Sequence, residues 1–343
     1  MNRLRLATYN VALNRPRAGD LMTDLTTRPG HQVSGLLQVM AQVDADVWII
    51  NELDYDPGQQ ALTAFQARLR EAGMDFPYCF TAPVNTGVPS GRDLVKQDVN
   101  NTLETPFGFG DFPGQYGMAV LSKVPLDTEA CRTFQHFLWR DMPDALMPSN
   151  PDGSAFYTDD DLAVMRLSSK SHWDLPLTLP SGACHLLISH PTPPAFDGPE
   201  RRNVCRNHDE IRFWVDYISG ASYMTDDQGL SGGLAPDQPF IVAGDLNASS
   251  AGGDSQPGAI NRLVTHPSVQ PLRPLSDRGH DLTARWKMRA DYVLPSTQLA
   301  VLGTGVFWPA PEHPLNVALE RASDHRPVWL DIALPDRTNQ ALP

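Results

Sequence analysis

Apolar positions recur along this chain in two rhythms. In "SDHRPVWLDI" (323–332), Val328, Leu330 and Ile332 alternate with Trp329 and Asp331. That period of two predicts a strand with one buried face. "VWII" (47–50) is an unbroken apolar run, as in a strand covered on both sides. "GMAVLS", "CHLLIS", "PFIVAGD" and "ADYVLP" read as further short strands, and "MNRLRLATYNV" enters another at once. Helical spacing places Val33, Leu36, Leu37 and Met40 together in one segment. It does the same for Leu62, Phe65 and Leu69, with Gly73 as a stop, and for Ile211, Val215 and Ile218. Helices and strands interleave throughout, which predicts a layered α/β or α+β domain.

Two stretches, 81–115 and 140–180, lose both rhythms and are rich in Pro, Gly, Asn and Asp. Irregular segments of that length inside a compact domain are usually functional insertions. The expectation is one domain over 1–343 with long loop insertions in these two places, rather than two domains joined by a linker.

Composition narrows the function. With 41% hydrophobic and 20% charged residues the chain has the profile of a soluble globular protein. Its formal charge is −13, from 27 basic and 40 acidic residues. No basic stripe is visible, which disfavours a grip on long duplex DNA and is compatible with divalent cations. No apolar run reaches the roughly 18 residues a membrane span needs. No signal peptide is visible, so the protein is expected to be cytoplasmic or to have lost a leader. Cys79, Cys131, Cys184 and Cys205 fit no C-x-x-C spacing, and the sequence leaves their disulfide state open.

The telling feature is where polar residues fall. Asn10 follows "RLATY", Glu52 follows "VWIIN", His190 follows "CHLLIS", and Asp245 and Asn247 follow "PFIVAG". Asp291 opens "DYVLP", and Asp324 with His325 opens the final strand. Any one of these alone reads as a turn or cap residue. As a set, they are polar groups carried by rigid strands, which is where sites are built. Glu52, Asp245, Asp324 and Asn10 offer hard oxygen ligands suited to Mg²⁺, Mn²⁺ or Ca²⁺ rather than zinc. Histidines without thiolate partners suit proton transfer or phosphoryl contact. The set describes metal-assisted attack of water on a phosphoester.

"TYNV", "NELD", "QYGMAVLSK", "SHPTPP", "GDLNAS", "RADYVLP" and "SDHRP", in this order over residues 6 to 332, resemble the endonuclease/exonuclease/phosphatase superfamily, which has a deoxyribonuclease-I-like fold. The resemblance implies an α+β fold: a four-layered α/β/β/α sandwich, two mixed sheets face to face with helices outside. More narrowly, "TAPVNTGVPSG", "FGFGDFPGQYGMAVLS" and "SHPTPPAFDGPERRNVCRNHDEIRFW" look like a bacterial, often exported subgroup, which favours a secreted or periplasmic location.

By position, the resemblance implies Glu52 as principal metal ligand, with Asn10 and Asp324 assisting. His325 is the implied general base, oriented by Asp291; Asp245 positions the water and Asn247 donates to phosphoryl oxygens. His190 contacts a phosphoryl oxygen or helps the leaving group, and Tyr116 hydrogen-bonds the phosphate. The expected activity is a Mg²⁺-dependent phosphoesterase, with Mn²⁺ or Ca²⁺ as alternatives, acting on small phosphoesters. A nuclease, a phospholipid or sphingomyelin diesterase, and a non-catalytic binding module are the competing readings. Oligomeric state is left open.

Departures and secondary features complete the reading. Asn51 stands where the superfamily usually has Gln. Asp54 and Asp56 are extra metal contacts or, by the preference of Asp for caps, helix caps. The "NAS" sequon at Asn247 is read as a false positive. Lys170 and His172 are read as a solvated loop, and Phe107, Phe109, Phe112 and Tyr116 as loop-core packing rather than a substrate pocket. Trp139, Trp173 and Trp214 are read the same way. Arg201, Arg202 and Arg206 grip phosphate or begin a helix, with nothing to choose between the two.

Overall fold

A computed structural model describes residues 2–27, 30–96 and 104–334. In chain order, β1 (Asn2–Leu13) leads through α1 (Asp20–Thr26) and α2 (His31–Val43) to β2 (Val47–Leu53) and α3 (Gln60–Glu71). Then come β3 (Tyr78–Phe80), β4 (Pro89–Arg92), β5 (Thr105–Pro106), β6 (Met118–Ser122) and β7 (Arg132–Thr133). After a short 3-10 turn, α4 (Asp159–Leu162) precedes β8 (His172–Leu179), β9 (Gly182–Ser189), α5 (Arg202–Ile218) and β10 (Phe240–Asp245). The chain closes with α6 (Pro257–Val264), β11 (Asp291–Pro295), β12 (Val301–Val306), α7 (Asn316–Ala322) and β13 (Val328–Leu334).

The strands form a six-stranded sheet in the order β12-β13-β1-β2-β6-β3 and a five-stranded sheet in the order β11-β10-β9-β8-β7. The two sheets pack face to face, β1 meeting β10 and β11, and β2 meeting β10. Trp48, Ile50, Ile188, Ile241 and Ala243 belong to the same buried core. Helices α2 and α7 pack together, as do α5 and α6. Val33, Leu36 and Met40 join the first sheet's core, while Ile211, Phe213 and Trp214 join a second core with Val242 and Tyr292. This is the four-layered α/β/β/α sandwich.

Strand direction brings one edge of the sandwich together. β1 and β2 run parallel, as do β9 and β10, so within each pair the carboxyl ends emerge side by side. β13 is antiparallel to β1, and β11 to β10. Their amino ends therefore lie at that same edge; Asp245 is the direct register partner of Asp291.

Two local expectations change. Residues 172–179, inside the stretch read as an insertion, form β8. That strand is buried along nearly its whole length and carries Asp174 and Pro176, so it shows no alternation. Helix α5 begins at Arg202, and its buried face is Val204, Asn207, Ile211, Trp214 and Tyr217, with Val215 and Ile218 only half-buried. Part of the 81–115 stretch, residues 97–103, lies outside the described residues. All four cysteines are free thiols.

Candidate active site

Residues separated by up to 315 positions in the chain converge at this edge. The Asn10 amide nitrogen donates to Glu52 Oε1 at 3.0 Å and to Asp245 Oδ2 at 3.0 Å. Its amide oxygen accepts from the Ala12 backbone N–H at 3.1 Å, so in this arrangement Asn10 orients the two carboxylates as a donor. Both His190 Nε2 and His325 Nε2 lie 3.5 Å from Asp245 Oδ2. His325 Nδ1 lies 2.8 Å from Asp291 Oδ2, which also accepts from the Thr283 hydroxyl at 2.7 Å. The Trp286 and His325 rings meet edge to face, with centroids 4.9 Å apart.

The backbone around these groups is held in unusual conformations. Glu52, Tyr116 and Asn247 all have positive φ, at 60°, 58° and 52°. Each placement costs a non-glycine residue on the order of 1–3 kcal/mol, so surrounding contacts must enforce it. Gly244 has φ 145°, and a Cβ there would stand 2.1 Å from the Ser189 carbonyl oxygen. The glycine of "GDLN" thus lets β10 press against the end of β9, bringing Asp245 beside His190.

Electrostatics follow from burial. Burial pushes Glu52 up, against the pull of Asn10 and His325, and pushes Asp245 up as well. Burial alone would strip the His325 proton, but the carboxylates of Asp291 and Asp245 outweigh it and raise this histidine. His190 is driven well below its ordinary value by burial and by Lys170 and His325 beside it. Its Nδ1 is buried without a hydrogen-bond partner among the described residues.

The remaining expected residues fall as follows. Tyr116 is half-buried, its backbone N–H donating to Asp54 Oδ1 at 3.1 Å, and it lines a cavity with Glu52, Lys170 and His190. Asn247 donates to the Pro191 carbonyl at 3.1 Å and is buried, which leaves its sequon inaccessible. The Asp324 side chain is exposed, while its negative charge is felt at Glu52 and His325. Asn51 accepts from the Asp245 backbone N–H at 3.0 Å, so the shorter amide ties the end of β10 to β2. Asp56 caps α3 by accepting from the N–H groups of Gln60 and Ala61. Asp54 instead joins the Arg15 and Tyr116 loops, and burial raises its carboxyl to about 6.

Other features resolve too. Trp139, Trp173 and Trp214 are fully buried. His172 is structural: its ring packs on Phe213 and Trp214 and its Nε2 lies 2.8 Å from the Glu210 carbonyl. Arg201 precedes α5, Arg202 pairs with Asp197 and Glu200, and Arg206 donates to the carbonyls of Leu167, Phe107 and Arg166. Lys170 differs from its expected role: it is only 5% exposed and senses Glu52 and Asp245. Phe107, Phe109 and Tyr116 do line a cavity.

Sequence reasoning missed the brace behind the site. Glu210, on α5 and fully buried, accepts the Ser169 N–H at 2.7 Å and the Thr192 N–H at 2.6 Å. It thereby ties the loop carrying Lys170 to the loop carrying His190. Asn207, one turn earlier, donates to the carbonyls of Thr192 and Leu246, adding the Asp245–Asn247 loop. The available signal was an unbroken polar run, Arg206 to Glu210, crossing the buried face of a helix, where an amphipathic pattern would place apolar residues.

Ligand atoms of Asp245, Asp291 and His325 all lie within 4.8 Å of one another, a group able to hold a metal ion. Their closeness is also what the His325–Asp291 hydrogen bond requires. Glu52 stands beside them, joined through Asn10. Three carboxylates crowded at low solvent exposure, two of them pushed up by burial, form a donor set that fits a hard divalent cation.

The sequence model of the Endonuclease/Exonuclease/phosphatase family matches residues 7–325. The chain belongs to the Endonuclease/Exonuclease/phosphatase family. Among solved structures, an endonuclease/exonuclease/phosphatase from Beutenbergia cavernae is 18% identical, with a TM-score of 0.56, over 97% of this chain and 72% of that one. A family protein from Leptotrichia buccalis is 13% identical with a TM-score of 0.52, over 97% of this chain and 100% of that one. Staphylococcus aureus beta toxin is 14% identical with a TM-score of 0.50, over 95% of this chain and 99% of that one. These likenesses establish the fold. No curated protein matches the sequence significantly. Among the described residues, no helix is long and apolar enough to cross a membrane.

Proposed function

We propose that this family member is a divalent-metal-dependent phosphoesterase, with Mg²⁺ as the expected ion, that hydrolyses small phosphoesters by in-line attack of water. The observation that carries the reading is the chain Asp291–His325–Asp245–His190, set beside Glu52 by Asn10. Glu52 is the principal metal ligand, Asn10 holds its carboxylate, and Asp324 contributes charge at the rim. A bound divalent cation supplies polarisation of a phosphoryl oxygen.

Asp291 fixes the His325 ring so that Nε2 faces Asp245, the geometry of a base and its orienter. Asp245 orients the attacking water toward phosphorus, and His325 receives its proton. His190, kept neutral by burial, donates to a phosphoryl oxygen or to the departing alkoxide. Asn247 and Tyr116 hydrogen-bond the phosphate as charge builds on it. Positioning and electrostatic stabilisation carry the rate. The family resemblance favours secretion or export to the periplasm.

The test is a panel of phosphomono-, di- and triesters, each with Mg²⁺, Mn²⁺ or Ca²⁺ after chelator treatment. Hydrolysis that needs added metal and drops at least about a thousandfold in His325→Ala supports the reading. No hydrolysis of any ester, or an unchanged His325→Ala rate, leaves a binding module on the same fold.

A further inference from the structure

The two irregular segments are not loose decoration. A cavity of about 670 Å³ opens from Glu52, Lys170 and His190, within the size range of small-molecule sites. Its walls come from both segments and from the stretch after His190: Leu94, Phe107 and Phe109; Tyr157 and Met165; and Phe196. Phe109 and Phe196 stand at the rim, 76% and 90% exposed. Isolated exposed phenylalanines are ordinary, but these two line the same largely apolar cavity beside Glu52 and His190.

These walls are locked together. Lys96 Nζ lies 2.7 Å from Asp161, tying the first segment to α4, and Arg92 pairs with Asp160 at 3.3 Å. The Arg166 guanidinium lies over the Phe107 ring, 4.1 Å from its centre. Arg206 reaches both segments by donating to the carbonyls of Phe107, Arg166 and Leu167.

Charge limits the occupant. Arg206 is committed to those carbonyls and Arg202 to Asp197 and Glu200. Lys170 lies at the floor beside the reacting groups and makes no ion pair among the described residues. The cavity therefore has two cations without an ion pair among the described residues, Lys170 beside the reacting groups and Arg206 held against carbonyls in the wall, and its other walls are mostly apolar. A polyanion would need positive charge along its length.

We infer that this cavity receives the non-reacting ester group of the substrate, and that this group is a single large apolar substituent, alkyl or aryl, on a phosphodiester monoanion. The inference rests on the phosphoesterase reading and names the substrate class of that site.

The experiment uses the full chain with Mg²⁺ and a series of 4-nitrophenyl alkyl phosphodiesters from methyl to octyl. Nitrophenoxide leaves, and the alkyl group is the variable. Each buried methylene is expected to raise kcat/KM by about three- to fourfold, so burying about four of the seven added methylenes gives about a hundredfold over the series. Phe109→Ala with Phe196→Ala, both at exposed positions, is expected to lower the octyl-to-methyl ratio by at least about fivefold. A flat series, or faster cleavage of a dinucleotide than of the octyl ester, overturns the inference.

Calorimetric binding of alkyl methylphosphonates of the same chain lengths separates the two readings. Affinity that rises with chain length without hydrolysis of any ester keeps the cavity assignment and removes the catalytic one. Affinity independent of chain length removes the cavity assignment whatever the enzyme hydrolyses.

Discussion

His325 Nδ1 lies 2.8 Å from Asp291 Oδ2, and that same oxygen accepts the Thr283 hydroxyl at 2.7 Å. Asp291 is thus pinned from one side while it pins the imidazole on the other. The Asp291→Asn variant removes the charge and offers the wrong partner for Nδ1. kcat is expected to fall by about 10³–10⁴, as when a triad's orienting carboxylate is amidated. Because the carboxylates raise His325, its pKa falls in the variant, so the acid limb of kcat/KM moves to lower pH while the plateau drops. A pH–rate profile reads both; an unmoved limb would argue that another group is the base.

Glu52 sits in a left-handed conformation at the end of β2 with its carboxylate bonded to Asn10. Glu52→Gln keeps the shape and removes the charge of the proposed metal ligand. The expected outcome is a rise of at least about tenfold in the Mg²⁺ concentration needed for half-maximal rate, with a much lower maximum. Metal titration of the rate checks it. Unchanged metal dependence would move the ion to the Asp245–Asp291–His325 group alone.

The Glu210 carboxylate spans the Ser169 and Thr192 amides from a fully buried position. Gln can accept from one of them but turns an NH₂ group toward the other. Glu210→Gln is expected to cost about 1–3 kcal/mol in denaturant unfolding. kcat should fall more than KM rises, because Lys170 and His190 lose their common anchor. If stability drops and the kcat and KM values stay those of the parent, Glu210 is structural only.

His172 gives the fold an acid-sensitive point. Burial lowers it to about 4, whereas an unfolded histidine titrates near 6.5. Between these values the unfolded chain binds more protons than the folded one, so stability is full above about pH 6.5 and is lost as pH falls toward 4. The loss is on the order of 3 kcal/mol. His172→Phe fits the neighbouring Phe213 and Trp214 rings and sacrifices one hydrogen bond. Its urea midpoint is expected to start slightly lower at pH 8 and to drop less by pH 5. An equal drop in both proteins would exclude His172 as the source.

Strand-end chemistry was legible because each site residue abuts a strand whose apolar pattern marks it. Asn10, Glu52, His190, Asp245, Asp291 and His325 could be picked out in this way as a set, although each alone reads as a turn or cap residue. Lys170 was not, because β8 is buried on both faces, so neither it nor the residues before it stood out as belonging to a strand. Nor was Phe107, whose place in a cavity depends on Arg166 and Arg206 arriving from elsewhere in the chain.

By itself, the order of apolar runs and polar ends determined a layered α/β or α+β domain, most of the strands and the kind of chemistry on offer, since these depend on local periodicity and side-chain type; the four-layered arrangement was implied only by the family resemblance. Tertiary structure decided which groups touch: that Asn10 faces the carboxylates through nitrogen, that Glu210 binds two loops at once, and that two irregular segments enclose a cavity. Those facts depend on strand direction and on backbone amides meeting across long sequence separations, and no local pattern encodes such encounters.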